Sequence, residues 1–182
     1  MLPARKPSTS KLQALILLCL DETALLVKTH QKCLSRAEAD VADLLRTGQT
    51  QRALLWVERA IKEQNLLDVL FMVERILRIL HERAQQIQTN KQCPNELREA
   101  VASLIYAAPR CGECPMLLRI SKLLRDKFMK HSCTISPEAN QEMMQLLSTK
   151  QPRLESRLAK METIARLQGI MLNMNKISFS EF

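Results

Sequence analysis

The chain has 182 residues, 46% of them hydrophobic, with a net charge of +8 and three glycines. That apolar content supports a real core and excludes a mostly disordered chain, while the dominance of Leu, Ala, Met, Gln, Lys, Arg and Glu is the composition of a helix bundle. Aromatic residues make up only 3%, too few for the stacking platforms of a single-strand nucleic-acid binder. No alternating apolar run is bounded by turn residues, so the fold class is all-α.

Residues 1–9 carry Pro3, Pro7, Arg5 and Lys6 and read as a flexible basic arm. The apolar run Ala14 to Leu20 behind those cations resembles the start of a signal peptide. No small-x-small cleavage site comes after it, however, and Asp21 and Glu22 end it. It is also shorter than the about 20 apolar residues that span a bilayer. The run is therefore the core-facing start of a first helix, about Ser10 to Arg46, with Leu12, Leu15, Ile16, Cys19, Leu26, Leu34, Val41 and Leu45 on its apolar faces. Leu45 to Gly48 has the form of a helix C-terminus, with Gly48 free to turn left-handed, and Thr50 can cap the next helix.

From Gln49 to Cys93 there is no Gly or Pro. Leu66, Val69, Leu70, Val73, Ile76, Leu77, Leu80, Ala84 and Ile87 recur in steps of three and four, placing them on one face of a second helix that ends near Asn90. From Gln49 to Lys91 such a rod measures about 60 Å and needs a lengthwise partner. The first helix supplies it, making a long antiparallel hairpin through the Gly48 turn. Trp56, among apolar neighbours, is assigned to the core.

About four shorter helices complete the chain. The third starts at Pro94 or Asn95 and runs to Ala108, where Pro109 stops it. The fourth covers about Pro115 to His131, with Pro115 in its first turn, an apolar face of Leu117, Leu118, Ile120, Leu123, Leu124 and Phe128, and a basic face of Arg119, Lys122, Arg125, Lys127 and Lys130. Residues 110–130 and 149–176 each carry +4 and the first 11 residues +3, against −1 for 12–47, so the positive charge lies in the arm and the two later helical regions, and the basic face of the fourth helix is a candidate docking surface for an acidic partner helix or an anionic membrane surface. Ser136 and Pro137 start a fifth helix, and a sixth runs from about Arg153 to Asn173.

No catalytic set emerges. His30, His81 and His131 lie in separate segments without a nucleophile and base arrangement, and glycine is too scarce for a phosphate-cradling loop. Cys111 and Cys114 have redox or metal-ligand spacing, and His131 and Cys133 could complete four ligands. A single C-x-x-C without a second pair is read as loop cysteines. Neither a metal nor a cofactor is expected, and the six cysteines, two of them within predicted helix, suit a reducing intracellular compartment better than a disulfide framework.

Three blocks carry a family resemblance: Glu58 to Leu66 (Glu-Arg-Ala-Ile-Lys-Glu-Gln-Asn-Leu), Ala100 to Arg110 (Ala-Val-Ala-Ser-Leu-Ile-Tyr-Ala-Ala-Pro-Arg) and Leu147 to Pro152 (Leu-Ser-Thr-Lys-Gln-Pro). They resemble the core domain of Ist-like proteins, the increased-sodium-tolerance family, over about Lys11 to Ile170. The resemblance implies an ESCRT-III-like helical bundle spanning 10–173 between the arm and a short tail, 174–182. It further implies a non-enzymatic role in multivesicular-body sorting and protein transport, cytoplasmic and peripherally associated with endosomes. The implied partners are ESCRT-III subunits of the charged multivesicular body protein type and MIT-domain proteins, including the AAA ATPase that disassembles the polymer. Two departures stand out. The first helix is not strongly basic, and the sequence ends at Phe182, so the C-terminal MIT-binding tail common in the family is expected to be missing. Leu154, Arg157, Leu158 and Met161 have spacing similar to a helical MIT-interacting motif, in which leucines one turn apart fill a groove; the alternative is that they pack into this domain's own core. The rival function is a basic helical protein that binds anionic membrane surfaces or nucleic acid independently of ESCRT; nucleic acid is not expected as a partner.

Overall fold

The computed structural model describes residues 11–112, 114–128 and 138–172, and every regular element among them is helical. The elements are α1 (Lys11–Arg46), α2 (Thr50–Glu82), α3 (Ala84–Thr89), a 3-10 turn at Asn95–Leu97, α4 (Arg98–Ala107), α5 (Pro115–Phe128), α6 (Gln141–Leu146) and α7 (Leu154–Leu167). The all-α class and the two long helices are as expected. The basic arm, Lys130, the end of the fourth helix at His131, Cys133, the start signal at Ser136 and Pro137, and the C-terminal tail lie outside the described residues.

α1 and α2 pack as an antiparallel hairpin joined by a tight turn. Gly48 takes φ 72°, where a side chain would cost about 1–2 kcal/mol. Its N–H donates to the carbonyl of Leu45 at 3.1 Å and that of Gln49 to Leu44 at 2.8 Å, satisfying carbonyls the helix end leaves open. The expected cap at Thr50 is displaced by one residue. The carbonyl of Gln49 accepts from the N–H of Ala53 at 3.0 Å, and Thr50 lies inside the first turn.

A second difference lies further along. The helix expected to continue to Asn90 breaks at Arg83, whose φ −96° and ψ 11° leave the helical region. No Gly or Pro marks the break. Ala84 and Ile87, 0% and 1% exposed, continue the apolar stripe beyond it, so burial of these two side chains, rather than a breaker residue, accompanies the bend.

The described residues form two compact units, one from those up to Val27 together with Asp68–Ser148, the other from Lys28–Leu67 together with those from Thr149 onward. In the first, α4 packs against both α5 and α6 and buries Val101, Ala102, Ser103, Leu104, Ile105 and Ala107. The alanines let neighbouring backbone come close. Asn140 ties this unit together: its Oδ1 accepts from the N–H of Met143 at 3.0 Å and so caps α6, its own N–H donates to Ser103 Oγ at 2.8 Å, and its Nδ2 donates to Glu99 Oε1 at 2.9 Å. The cap of α6 is thus Asn140.

In the second unit Val41, Ala42 and Leu45 of α1, Ala53, Leu54 and Val57 of α2, and Met161, Ile164 and Ala165 of α7 form one apolar cluster. Burial of each large side chain there contributes about 1.5–3 kcal/mol. Trp56 is not in it. The indole is 46% exposed, because positions 53, 54, 57 and 60 define the buried face of α2 and 56 falls on its flank. α7 ends at Leu167 rather than at Asn173, since Gly169 at φ 64° turns the chain and Ile170 N–H closes onto the carbonyl of Ala165 at 2.8 Å.

Candidate partner-binding surface

α5 starts under the control of α1. Glu22 Oε2 accepts from the N–H of Met116 at 3.0 Å and from the thiol of Cys114 at 3.4 Å, placing a carboxylate at the positive end of the helix. Leu117, Ile120, Ser121 and Leu124 are buried and Phe128 is half-buried. Leu118 and Leu123, expected on that apolar face, instead point outward, 45% and 44% exposed. They stand on either side of the buried stripe, beyond the width that the core covers.

Arg119, Lys122 and Arg125 share the outer face with these leucines and are all exposed; no ion pair holds any of the three among the described residues. Lys127 is separate from them. Its Nζ donates to the carbonyl of Gln88 at 3.2 Å, near the C-terminal end of α3 where a cation is favoured, and lies 5.6 Å from the Phe128 ring. A mainly apolar hollow of about 430 Å³ opens beside α5, lined by Lys11, Leu12, Leu15, Ile87, Gln88, Leu123, Leu124, Asp126 and Lys127. Leu123 therefore belongs both to the hollow and to the cationic face.

The residues matching an MIT-interacting motif lie on α7. Met161 is fully buried and Leu158 packs against the same cluster. Arg157 donates to Glu58 Oε1 at 3.1 Å, and Leu154, 38% exposed, is the one member left facing outward. Lys160 of the same helix pairs with Glu38 at 2.6 Å. Sequence periodicity identifies the stripe but not which neighbour fills it.

Cys19, Cys111 and Cys114 are all buried. Burial pushes the Cys111 thiol up to about 12. Cys19 is also raised, chiefly by its hydrogen bond with Cys114 and then by burial. Cys114, at the head of α5, is lowered by that same hydrogen bond and by the N–H of Leu117. Among the described residues no group of three His, Cys, Asp or Glu side chains is placed to hold a metal ion, and none of the helices there is long and apolar enough to cross a membrane.

A long α-hairpin with shorter helices, and no other regular element among the described residues, defines an all-helical domain of the ESCRT-III-like fold. The chain belongs to the Ist1 family, described as regulator of Vps4 activity in the MVB pathway, whose model matches residues 13–171. It is 25% identical over 147 residues to an IST1-like protein of Dictyostelium discoideum, covering 78% of this chain and 40% of that protein. It is 28% identical over 132 residues to vacuolar protein sorting-associated protein IST1 of Saccharomyces cerevisiae, covering 68% of this chain and 44% of that one. The chain thus spans less than half the length of either relative. The crystal structure of the S. cerevisiae Ist1 N-terminal domain in complex with the Did2 MIM motif has the same fold, with a TM-score of 0.80 at 22% identity over 97% of this chain and 100% of that one.

Proposed function

We propose that this chain is a non-enzymatic adaptor of the ESCRT-III pathway, in which the outer face of α5 receives an acidic amphipathic helix from an ESCRT-III subunit. The observation that carries this reading is the placement of Leu118 and Leu123, exposed, among Arg119, Lys122 and Arg125, beside an apolar hollow that shares Leu123. An incoming helix would set its apolar anchors against the leucines and the hollow, while the three cations steer its carboxylates and fix its register. Support comes from family membership and from the S. cerevisiae relative, whose N-terminal domain was solved with a Did2 MIM motif. Binding in this way would bring the chain, from the cytoplasm, to the periphery of endosomes and tune the disassembly ATPase during multivesicular-body sorting. The functional module in this reading is 10–173, with the arm and the tail as flanks. MIT-domain proteins are a further class of partner, reached through α7 only when that helix leaves its unit.

The test is a pull-down of the purified chain against a panel of ESCRT-III subunits, with Lys122→Glu and Arg125→Glu combined. Both positions are exposed, so the fold is retained, and binding to the preferred subunit is expected to fall at least about tenfold, since close charge pairs across an interface couple by about 1.5 kcal/mol or more. Undiminished capture by the double variant would remove α5 as the docking face.

A further inference from the structure

The packing of α5 on α1 brings together two thiols that are far apart in sequence. Cys19 of α1 and Cys114 at the head of α5 are 0% and 1% exposed, both are free thiols, and their side chains are hydrogen-bonded to each other. The Cys114 thiol in turn donates to Glu22 Oε2 at 3.4 Å. Thiol, thiol and carboxylate thus form a short relay from Cys19 through Cys114 to Glu22. The pair lies just beneath the surface, since Gly112 and Pro115, close to Cys114 in the chain, are exposed. The C-x-x-C spacing points to Cys111 as the companion of Cys114; the fold gives Cys114 a hydrogen-bonded companion on α1.

We propose that Cys19 and Cys114 are a dithiol that hydrogen peroxide oxidises to a disulfide, stapling the head of α5 to α1. Glu22 takes the proton of Cys114 as its sulfur attacks one peroxide oxygen; the O–O bond breaks, the second oxygen leaves as hydroxide and recovers that proton as water, and Cys114 becomes a sulfenic acid. Cys19, already in contact, attacks that sulfur; the S–O bond breaks, and the oxygen leaves as a second water with the proton of Cys19. The two thiols supply the two electrons that reduce the peroxide. The hydrogen bond from Cys19 and the N–H of Leu117 hold the Cys114 thiol below its ordinary 9.0, which favours it as the attacking sulfur. Without the staple α5 is held by non-covalent ties alone: Glu22 to the N–H of Met116 at its head, Lys127 to the carbonyl of Gln88 at its end, and the buried Leu117, Ile120 and Leu124 between them. The disulfide makes the first tie covalent, so that α5 cannot lift from α1 until it is reduced. In a reducing compartment such a bond is transient and redox-sensing. It depends on the contact between α1 and α5 and not on what docks on the outer face of α5.

The experiment treats the reduced full chain with hydrogen peroxide, alkylates it under denaturing conditions and maps its peptides by mass. The expected product joins the peptides of Cys19 and Cys114, two hydrogens lighter than their sum, and dithiothreitol separates them. The bond closes a loop that takes in α2 and α4, so the urea midpoint should rise on oxidation and amide exchange along α5 should slow, both returning on reduction. Cys111→Ser and Cys93→Ser should keep the cross-link; Cys19→Ser should lose it and leave a sulfenic acid at Cys114 that dimedone traps. The mapping is made on the unsubstituted chain, so it decides the matter even where a substituted one fails to fold. A bond between Cys111 and Cys114, a bond between two chains, Cys114 driven to sulfinic acid with Cys19 still free, or no oxidation of either thiol would overturn the proposal. So would a cross-linked chain in which exchange along α5 is unchanged.

Discussion

Arg157 carries a donor left unanswered among the described residues: its Nε is buried without a hydrogen-bond partner, while its NH1 donates to Glu58. A guanidinium already short of one partner depends heavily on the other, and a hydrogen bond between charged groups contributes about 1.5–3 kcal/mol. Glu58→Gln is therefore expected to lower unfolding stability in urea by about 1–3 kcal/mol. The exposed Arg46 and Asp43 pair, with side chains 48% and 74% exposed, should cost at most about 1 kcal/mol when Asp43 becomes Asn. Cysteine chemistry gives a second expectation. The Cys111 thiol stays protonated to about 12 in the fold, against an ordinary value of 9.0. Above the ordinary value the unfolded chain releases a proton that the folded chain keeps, so stability is full below pH 9 and falls as the pH rises toward 12. Urea midpoints at neutral and alkaline pH should separate, and Cys111→Ala should narrow the gap; a gap unchanged by that substitution would remove Cys111 as its source.

At the scale of the element, α5 and α7 make opposite use of similar sequence patterns. Both carry leucines at helical spacing with arginines one turn away, yet α5 leaves Leu118 and Leu123 in solvent while α7 buries Met161 and binds Arg157 to Glu58. Periodicity tells which residues share a stripe; how wide a stripe the core covers depends on neighbours that only the tertiary structure brings together. Helix ends divide in the same way. Gly48 marks the end of α1 because a Leu, Arg, Thr run leads directly to it, whereas Gly169 marks the end of α7 although the apolar residues Ile170, Met171 and Leu172 invite the helix onward. If α7 does release its inner face, a peptide of residues 150–170 should bind an isolated MIT domain in a titration, and Leu158→Asp should abolish that affinity. A peptide without affinity for any MIT domain would confine α7 to its structural role.

For the whole molecule, the all-α class, the hairpin and its turn arise from residue types alone, since two Gly- and Pro-free stretches around one glycine have few other ways to bury their apolar stripes. The break at Arg83 does not, because that residue does not differ in kind from its neighbours; Asn140 is of a type that favours a helix cap, but its bonds to Ser103 and Glu99 come from a segment distant in sequence. Trp56 shows the limit most plainly. Its apolar neighbours at Ala53, Leu54 and Val57 are in the core, and a rotation of one residue around the helix puts the indole outside it. The surfaces available for partners were legible as charge, with their leucines concealed among residues that looked internal.

A helix enclosed on nearly every side, as α4 is, admits almost no change of size or polarity without strain or a void. The outward residues of α5, by contrast, bear no structural duty and can be exchanged at little cost. Divergence among chains built on this scaffold should therefore accumulate where clients are chosen and be suppressed where the frame is held, so that one architecture can acquire a new clientele without having to relearn how to fold.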